Sequence, residues 1–406
     1  MTAPVVTGLG VLSPNGSGVD DFWAATLAGH SGVAPLTRFD ASGYPSGIGG
    51  EVKDFDAAEL LPGRLLPQTD HMTRLALVTA EQCLADADLD PRELPDFAVG
   101  VVTAASAGGM EFGQRELEAL WGRGGAYVSA YQAFAWFYPV NTGQISIRHG
   151  MRGASSAIVT EQAGGLDAVA KARRHIDHGT PHMVAGGVDS ALCPWGWLCM
   201  SRSGRVSTST DPNRAYLPFD VEASGYVPGE GGALLVLEDP RAADRRGAPK
   251  RYGSVLGYAS TFDPRPGSGR EPGLRRAVEL ALDQAELAPG DVDVVFADAS
   301  GVPELDRQEA LALAAVFGTR GVPVTAPKTM TGRLLAGGAS LDLAAALLAL
   351  RDQVVPPTVN ITHPAHGELI DLVTDQPREL PLTHALVLAR GLGGFNSAMV
   401  LCQGED

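Results

Sequence analysis

Short apolar segments alternate with longer amphipathic or alanine-rich segments along the chain of 406 residues. Short runs rich in Val, Ile and Leu predict strands, and apolar residues recurring every three to four positions predict helices. This alternation is typical of α/β proteins, in which helices cover the faces of a sheet. The predicted strands are 5–10, 97–104, 156–160, 182–188, 233–238, 292–299, 384–390 and 397–402, and helices are predicted after Asp70, Gly109, Gln162, Gly273, Pro303 and Gly338.

The chain also resembles itself. VTEQAGGLDAVAKARRHI in the first half and VTAPKTMTGRLLAGGASLDLAAALLAL in the second each join an apolar strand to a helix through a glycine-bearing turn. Glycine-rich strands follow in both halves. Two copies of one α/β unit explain this echo better than unrelated domains do. We therefore predict two similar halves, residues 1–250 and 251–406, with their junction in the arginine-rich segment 239–253.

Composition and charge exclude several classes of protein. Apolar residues make up 45% of the chain, which is ample for a large core and rules out a disordered protein. Lys and Arg number 31 and Asp and Glu 47, and this acidic balance argues against nucleic-acid and anionic-membrane binding. Only 19% of residues are charged, below the roughly 25% typical of soluble domains. We therefore expect a partner to cover part of the surface.

The cysteines and the N-terminus bear on the compartment. Cys83, Cys193, Cys199 and Cys402 form neither a metal-ligand pair nor a disulfide framework, so we expect no metal and a reducing cytoplasm. The first residues lack the basic and apolar regions of an export signal. The uncharged run 124–147 contains too many polar residues to span a membrane.

One polar residue stands where α/β folds place chemistry. Gln162 lies in VTEQAGGLDAV at a strand–turn–helix junction, where helix N-terminal N–H groups stabilise negative charge. A glutamine amide donates and accepts hydrogen bonds but cannot act as an acyl nucleophile. Taken alone, Gln162 is best explained as a capping or turn residue.

Five segments together resemble the β-ketoacyl synthases of the thiolase superfamily in order and spacing. The resemblance extends over essentially the whole chain. It implies a thiolase-like, five-layered αβαβα fold made of two similar halves and usually found as a dimer. The segments are VTEQAGGLDAV, PFDVEASGYVPGEGGALLVLE (218–238), DASGVPELDRQEA (298–310), PKTMTGRLLAGGAS (327–340) and GLGGFNSAMVL (391–401).

The departures from that family are at the catalytic positions. By the resemblance, Gln162 stands at the position of the nucleophilic cysteine, and Asp298 and Arg333 stand at those of the two catalytic histidines. Decarboxylative condensation needs a thiolate to hold the acyl chain and imidazoles to stabilise the oxyanions. No condensing activity is therefore expected from the chain alone. Instead, Asp298 and Arg333 should form a buried bidentate salt bridge that also bonds the Gln162 amide.

This combination resembles the chain length factor, or ketosynthase β subunit, of bacterial type II aromatic polyketide synthases. Shared features are Gln in place of Cys, VPGEGG after the PFD motif, and AWFYPVNTGQISIRHGMRG. The resemblance implies an obligate heterodimer with a catalytic ketosynthase α subunit and no cofactor of its own. It implies that the polyketide is carried on the phosphopantetheine of a separate acyl carrier protein, and that this subunit shapes the tunnel limiting chain length.

Three residues after Gly109 are candidate gates of that tunnel. Met110, Gly113 and Leu117 share one face of the predicted helix, with Phe112 turned away from it. Periodicity alone fits an ordinary core stripe equally well, and it is the resemblance that assigns gating. Because Gly113 has no side chain, we expect a comparatively long tunnel.

The uncharged run 124–147 contains six aromatic residues. A buried helix of the monomer would explain them, but aromatic residues without charge also suit the core of an interface. With the resemblance, the interface interpretation is favoured. The expected contacts are Tyr131, Phe134, Trp136 and Phe137, and the family's gating loop matches Gly391, Gly393, Gly394 and Phe395.

Other functions remain open at this stage. The chain could decarboxylate malonyl carrier protein to supply an acetyl primer, with the Gln162 amide near the thioester. It could also be a condensing homodimer that uses Cys193 or Cys199. Two basic clusters could meet an acidic carrier protein, although such runs are more often solvated. These clusters are Lys171, Arg173, Arg174 and His175, and Arg241, Arg245, Arg246, Lys250 and Arg251.

Overall fold

The computed structural model describes residues 3–265 and 267–404. Every strand and helix listed above forms, with shifts of a few residues at the ends. The strands are Val5–Ser13 (β1), Gly16–Ser17 (β2), Val33–Pro35 (β3), Ile48–Gly50 (β4), Val99–Ala104 (β5), Ser155–Ile158 (β6), His182–Asp189 (β7), Gly231–Glu238 (β8), Gly253–Phe262 (β9), Val294–Phe296 (β10), Pro323–Thr325 (β11), Val354–Val355 (β12), Asp371–Leu372 (β13), Arg378–Glu379 (β14), His384–Gly391 (β15) and Phe395–Gln403 (β16).

The helices differ in how they begin. Asp70 caps one of them through its side chain, whereas glycine precedes several others. The helices are Val19–Leu27 (α1), Ala57–Leu60 (α2), His71–Asp86 (α3), Met110–Arg123 (α4), Gln132–Ala135 (α5), Val140–His149 (α6), Gly164–Asp177 (α7), Pro194–Ser201 (α8), Pro240–Arg246 (α9), Leu274–Ala285 (α10), Pro303–Phe317 (α11) and Gly338–Asp352 (α12).

The large sheet is built from two halves with one connectivity. In the first, the order is β1–β8–β7–β5–β6, and in the second it is β9–β16–β15–β10–β11. In each half the first two pairings are antiparallel and the last two parallel. This repeat confirms the duplication read from the sequence. Strands β1 and β9 pair at Val5 and Ser254 and so join the halves edge to edge.

Helices and half-sheets stack as five layers. Helices α7 and α12 lie between the two half-sheets, and α12 is buried from Gly338 to Leu350. Helix α3 covers the outer face of the first half-sheet, and α10 and α11 cover that of the second. A helix apolar on all sides, such as α12, is stable only in such a central layer. The αβαβα arrangement implied by the resemblance is therefore present.

Two further findings concern the described residues as a set. None of the helices formed by residues 3–265 and 267–404 is both long and apolar enough to cross a bilayer. The same residues hold no group of three or more His, Cys, Asp or Glu side chains placed to bind a metal ion.

Candidate functional site

Gln162, Asp298 and Arg333 come together at the edge of the central layer. Gln162 lies in the 3-10 turn ahead of α7, Asp298 follows β10, and Arg333 lies in the loop before α12. All three line one cavity of about 80 Å³. Small-molecule sites usually enclose about 300–1,000 Å³, so this cavity is too small for an acyl chain.

Asp298 and Arg333 form the predicted buried ion pair. Arg333 Nη2 donates to Asp298 Oδ1 at 2.9 Å, and Arg333 Nη1 donates to the main-chain oxygen of Asp298 at 2.8 Å. The guanidinium fork thus spans one carboxylate oxygen and one carbonyl, so the expected bidentate contact with both carboxylate oxygens was wrong. Nη2 also donates to the main-chain oxygen of Arg390 at 3.1 Å, which fixes the fork from a third side.

The charges around this pair compensate each other. Burial disfavours ionisation of Asp298, but the charges of Arg333 and Lys328 outweigh it and hold the pKa of the carboxyl below its ordinary value. Burial likewise opposes the charge of Arg333, and Asp298 raises its pKa well above the usual range. Lys328 Nζ in turn pairs with Asp342 Oδ2 at 2.8 Å. Two cations and two carboxylates therefore occupy the space between β10 and α12.

The amide of Gln162 bonds elsewhere than predicted. In the orientation that satisfies both of its polar atoms, the amide nitrogen donates to the Leu335 carbonyl at 3.1 Å and the amide oxygen accepts from the Leu335 N–H at 3.3 Å. Its tip lies against Gly338, where a Cβ would come within 3.0 Å of it. The predicted bond to the Asp298–Arg333 pair was therefore wrong. Gln162 ties the start of α7 to the turn before α12.

The loop matching the family's gating loop lines the cavity. The N–H of Leu392 donates to Glu161 Oε2 at 2.7 Å. Gly393 and Gly394 have φ angles of 98° and 101°, a left-handed region that favours glycine. Gly391 pairs across the hairpin with Phe395, whose ring packs edge-on against another aromatic ring.

Cys193, one of the two cysteines of the alternative condensing enzyme, does not line this cavity. Cys193 is buried, and burial raises the pKa of its thiol to about 11, so it is not a thiolate at neutral pH. Its Sγ accepts the N–H of Gly196 at 3.4 Å and acts as a weak cap for α8. The alternative of a condensing enzyme that uses this cysteine has no support in the geometry.

The fold agrees with the comparisons to known proteins. Residues 3–243 match the model of the β-ketoacyl synthase N-terminal domain, and residues 252–362 match that of the C-terminal domain. The chain belongs to the β-ketoacyl synthase family. It is 62% identical to the tetracenomycin polyketide synthase ketoacyl synthase β subunit of Streptomyces glaucescens, over 99% of both chains. Within the family, it is thus one of the ketosynthase β subunits, or chain length factors.

Two solved structures of this family have the same fold. One is a type II polyketide synthase acyl-carrier protein in complex with its ketosynthase bound to the hexaketide, with 28% identity, a TM-score of 0.88, and coverage of 99% of this chain and 100% of the other. The other is the ishigamide ketosynthase/chain length factor, with 25% identity, a TM-score of 0.90 and full coverage of both chains.

The candidate gates lie on α4 with different surroundings. Met110 and Leu117 are half-buried, Gly113 is buried, and Phe112 points into the core. A Cβ placed on Gly113 would lie 3.5 Å from Trp195 Cζ3 and would meet only side-chain atoms. The ring of Trp195 and, at 3.8 Å, the Cβ of Trp136 therefore border the space over Gly113. Their role as gates stays a prediction.

Sequence reasoning missed Trp195, which belongs to α8 and covers Gly113. It lies in the run CPWGWLCM, between the two cysteines that were considered as alternative nucleophiles. The proline at the first position of α8 was a usable signal, since Cys-Pro-Trp marks a helix start and places Trp195 in its first turn. Nothing in the spacing tells which other helix that turn contacts.

The aromatic residues of the run 124–147 are exposed. Trp136 and Phe137 keep 45% and 47% of their surface accessible, and Tyr131 and Phe134 are exposed as well. The interpretation of this run as a buried helix of the monomer was therefore wrong. Trp121 on α4 and Ile147 on α6 are accessible at 77% and 78%, so the exposed surface extends over neighbouring helices.

The second basic cluster is partly neutralised within the chain. Arg246 pairs with Glu238, Lys250 with Asp86 and Arg251 with Asp244. In the other cluster, Arg173 is buried and donates to the Gln284 side chain at 3.1 Å. The ion pairs weaken the second cluster as a docking site for an acidic protein, whereas in the first cluster only Arg173 is buried.

Proposed function

We propose that this chain is the non-condensing subunit of a ketosynthase heterodimer and sets the length of the polyketide made in type II aromatic polyketide biosynthesis. The observation that carries the proposal is the ion pair of Asp298 and Arg333 in the position of the family's catalytic histidines. The free volume beside this pair is about 80 Å³, which leaves no room for chemistry on an acyl chain. The reacting centre then has to come from the partner.

The exposed aromatic surface supports a partner. Monomeric proteins rarely leave large contiguous apolar patches in water, and tryptophan and tyrosine are typical interface anchors. Strand β6 adds a second feature, because among the described residues it is hydrogen-bonded in the sheet on one side only, to β5. An open strand edge can pair with a strand of another chain. We propose that the ketosynthase α subunit covers this surface.

The surroundings of Gly113 support a role in chain length. A growing polyketide needs a channel, and Gly113, the buried glycine of α4, stands where one bulky side chain would narrow it. The ring of Trp195 and the backbone of α4 then define the width at this level. We propose that Met110, Gly113 and Leu117 border the end of the channel.

The remaining components follow from this role. The solved relative bound to the hexaketide contains an acyl-carrier protein. We propose that the polyketide of this system is likewise carried on the phosphopantetheine of a separate carrier protein, in the cytoplasm, and that this chain needs no cofactor of its own. With three residues of the second basic cluster paired internally, we place the docking site for that carrier on the α subunit.

Decarboxylation of malonyl carrier protein by this chain is the weaker alternative. It needs donors aimed at the enolate and thioester oxygens. The Gln162 amide is occupied by Leu335, and the guanidinium of Arg333 by Asp298 and a carbonyl. Both groups are thus engaged in bonds within the chain.

One reconstitution separates the functions. The purified chain is incubated with malonyl carrier protein, alone and with an α subunit, and the products are identified by mass spectrometry. We expect polyketide only with the partner. Acetyl carrier protein formed by the isolated chain would favour the decarboxylase, and condensation by the isolated chain would favour a complete ketosynthase.

A binding measurement tests the partner surface directly. Trp136→Glu places a charge in the exposed aromatic surface and should abolish copurification with the α subunit while leaving the fold intact. Val221→Glu is the matched control. Val221 is also an exposed apolar residue, but it lies outside the aromatic surface, next to His363 of the second half, to whose carbonyl its N–H donates. Equal copurification of both variants would contradict the proposed surface.

A further inference from the structure

Helix α8 begins with a weak cap. Its first residue, Pro194, has no N–H, and the preceding Cys193 offers only a sulfur acceptor, which takes the N–H of Gly196 at 3.4 Å. The first N–H groups of a helix have no acceptor within the helix and need one from outside. The N–H of Trp195 is one of these groups, so its acceptor must come from another part of the chain.

That acceptor is a side chain on α4. Gln114 Oε1 accepts the N–H of Trp195 at 2.8 Å. The other end of the same amide, Nε2, donates to Glu118 Oε1 at 2.8 Å, one turn further along α4. Because both ends of the amide are bonded, its orientation is fixed and its oxygen faces α8.

The link lies next to the candidate gate. Gln114 follows Gly113 on α4, and the ring of Trp195 covers Gly113. Trp195 is 42% accessible, so burial alone does not fix its position. A directional hydrogen bond to its own N–H does so more strictly than apolar contact can. The hydrogen bond therefore fixes the backbone that carries the ring, and it does so from the residue next to Gly113 on α4.

We propose that Gln114 is a positioning residue for chain-length selection. It holds α8 against α4 and so fixes how far the Trp195 ring stands from Gly113. This inference rests on the proposed function, in which the space at Gly113 limits the product. Gln114 does not touch the polyketide in this account and acts through Trp195.

The test removes the acceptor and keeps the shape. Gln114→Leu is assayed in the reconstituted heterodimer with malonyl carrier protein, and the product chain lengths are quantified. We expect the ratio of the main product to its neighbours to fall about fivefold, which is what one neutral hydrogen bond is worth. The total amount of product should change much less, because the reacting centre is untouched.

The matched control reverses the bonds within α4. In Gln114→Glu combined with Glu118→Gln, a carboxylate oxygen still accepts the Trp195 N–H, and the new amide can donate back to it. This double variant should keep the wild-type product ratio. Gln114→Asn is the second test, since it retains an amide but is one methylene too short to reach α8, and it should behave like Gln114→Leu.

Two results separate the failure of this inference from failure of the proposed function. If Gly113→Phe shortens the product while Gln114→Leu and Gln114→Asn leave the ratio unchanged, the positioning role is refuted and the proposed function stands. If no variant changes the product, both fail. Amide hydrogen exchange of the peptide containing Trp195 gives an independent readout, and equal exchange in wild type and Gln114→Leu would also overturn the proposed link.

Discussion

The carboxylate of Asp70 accepts a hydrogen bond from the backbone N–H of Phe112 at 2.7 Å. Its other oxygen accepts the N–H of Met72 at 2.8 Å, so one side chain caps the starts of both α3 and α4. Gly109, which precedes α4, has no side chain to serve as its own cap. The helix that carries the candidate gates is thus anchored to the core by a residue from another helix.

Because Asp70 caps two helices, Asp70→Asn should lower the free energy of unfolding by removing one of the two caps. One amide oxygen can satisfy only one of the two N–H groups, and the other is left buried and unpaired, at a cost of about 1–3 kcal/mol. Urea unfolding at pH 8 measures this cost. The control is Asp56→Asn, because Asp56 caps only Ala58 at an exposed site and Asn serves equally well there. Equal losses in the two variants would contradict the shared cap.

Gly113→Phe should shorten the main product of the reconstituted synthase by one or more extension steps. A phenylalanine ring has to occupy the space under Trp195, whereas Gly113→Ala adds only an ordinary contact at 3.5 Å and should change little. Gly122→Phe is the control, since it lies on the same helix with open space around it. The product lengths are read by mass spectrometry, and an unchanged length in Gly113→Phe would refute the gate.

Gln162→Cys should not restore condensation. The new thiol would face Leu335 and a cavity filled by Asp298 and Arg333, with no imidazole at those positions to stabilise an oxyanion. The purified variant is incubated with acyl and malonyl carrier proteins and examined for an acyl-enzyme and for chain extension. Chain extension by Gln162→Cys at the rate of an α subunit would show that the Asp298–Arg333 ion pair does not prevent condensation.

Breaking the buried ion pair from one side should be costly. Arg333→Met leaves the Asp298 carboxylate buried with its main partner gone, and such losses amount to about 3–5 kcal/mol. The double variant Asp298→Asn with Arg333→Met removes the stranded charge and should recover part of that stability. Urea unfolding of both single variants and of the double variant completes the cycle. Strictly additive losses would mean that the two residues do not interact.

The buried Asp189 predicts how stability depends on pH. Burial raises the pKa of its carboxyl to about 7, although the N–H groups of Ser106, Ser190 and Ala336 oppose the shift. Between about pH 4 and 7, the folded chain therefore holds a proton that the unfolded chain has lost. The stabilisation is complete below the unfolded pKa and is lost as the pH rises through 7, at about 1.4 kcal/mol per pH unit.

Asp189→Asn should flatten this slope of unfolding free energy between pH 5 and 7. Part of the slope will remain, because burial also raises the pKa of Glu309 to about 7. The measurement is the urea midpoint as a function of pH. Asp283→Asn, at an exposed position, is the control and should leave the wild-type slope. A wild-type slope in Asp189→Asn would contradict the shift.

Sequence reasoning reached the site in part. The pairing of Asp298 with Arg333 could be predicted, because opposite charges at two converging positions have to compensate each other when buried. The partner of Gln162 could not, since it is the main chain of Leu335, and any residue at that position would offer the same N–H and carbonyl. The contact of Gln114 with Trp195 spans 81 residues and follows no periodic pattern.

The uncharged run 124–147 marks another limit of sequence. Missing charge and abundant aromatics are equally typical of a buried helix and of a surface awaiting a partner. Only the exposure of Trp136 and Phe137 distinguishes the two. The duplicated sheet was easier to predict from the sequence. Each half repeats the same order of apolar strands, glycine turns and helices, and hydrophobic periodicity indicates such elements directly.

Two features described above also have a cellular consequence. These are the outer edge of β6, which pairs with no strand among the described residues, and the exposed aromatic residues of the run 124–147. Any copy made in excess of its partner presents to other copies the same backbone edge and the same apolar rings, and these features promote aggregation. If the α subunit covers these features, as proposed above, production of the two subunits in equal numbers keeps copies of this chain from meeting each other through them. The ratio of the two gene products then affects how much of this chain stays in a usable form.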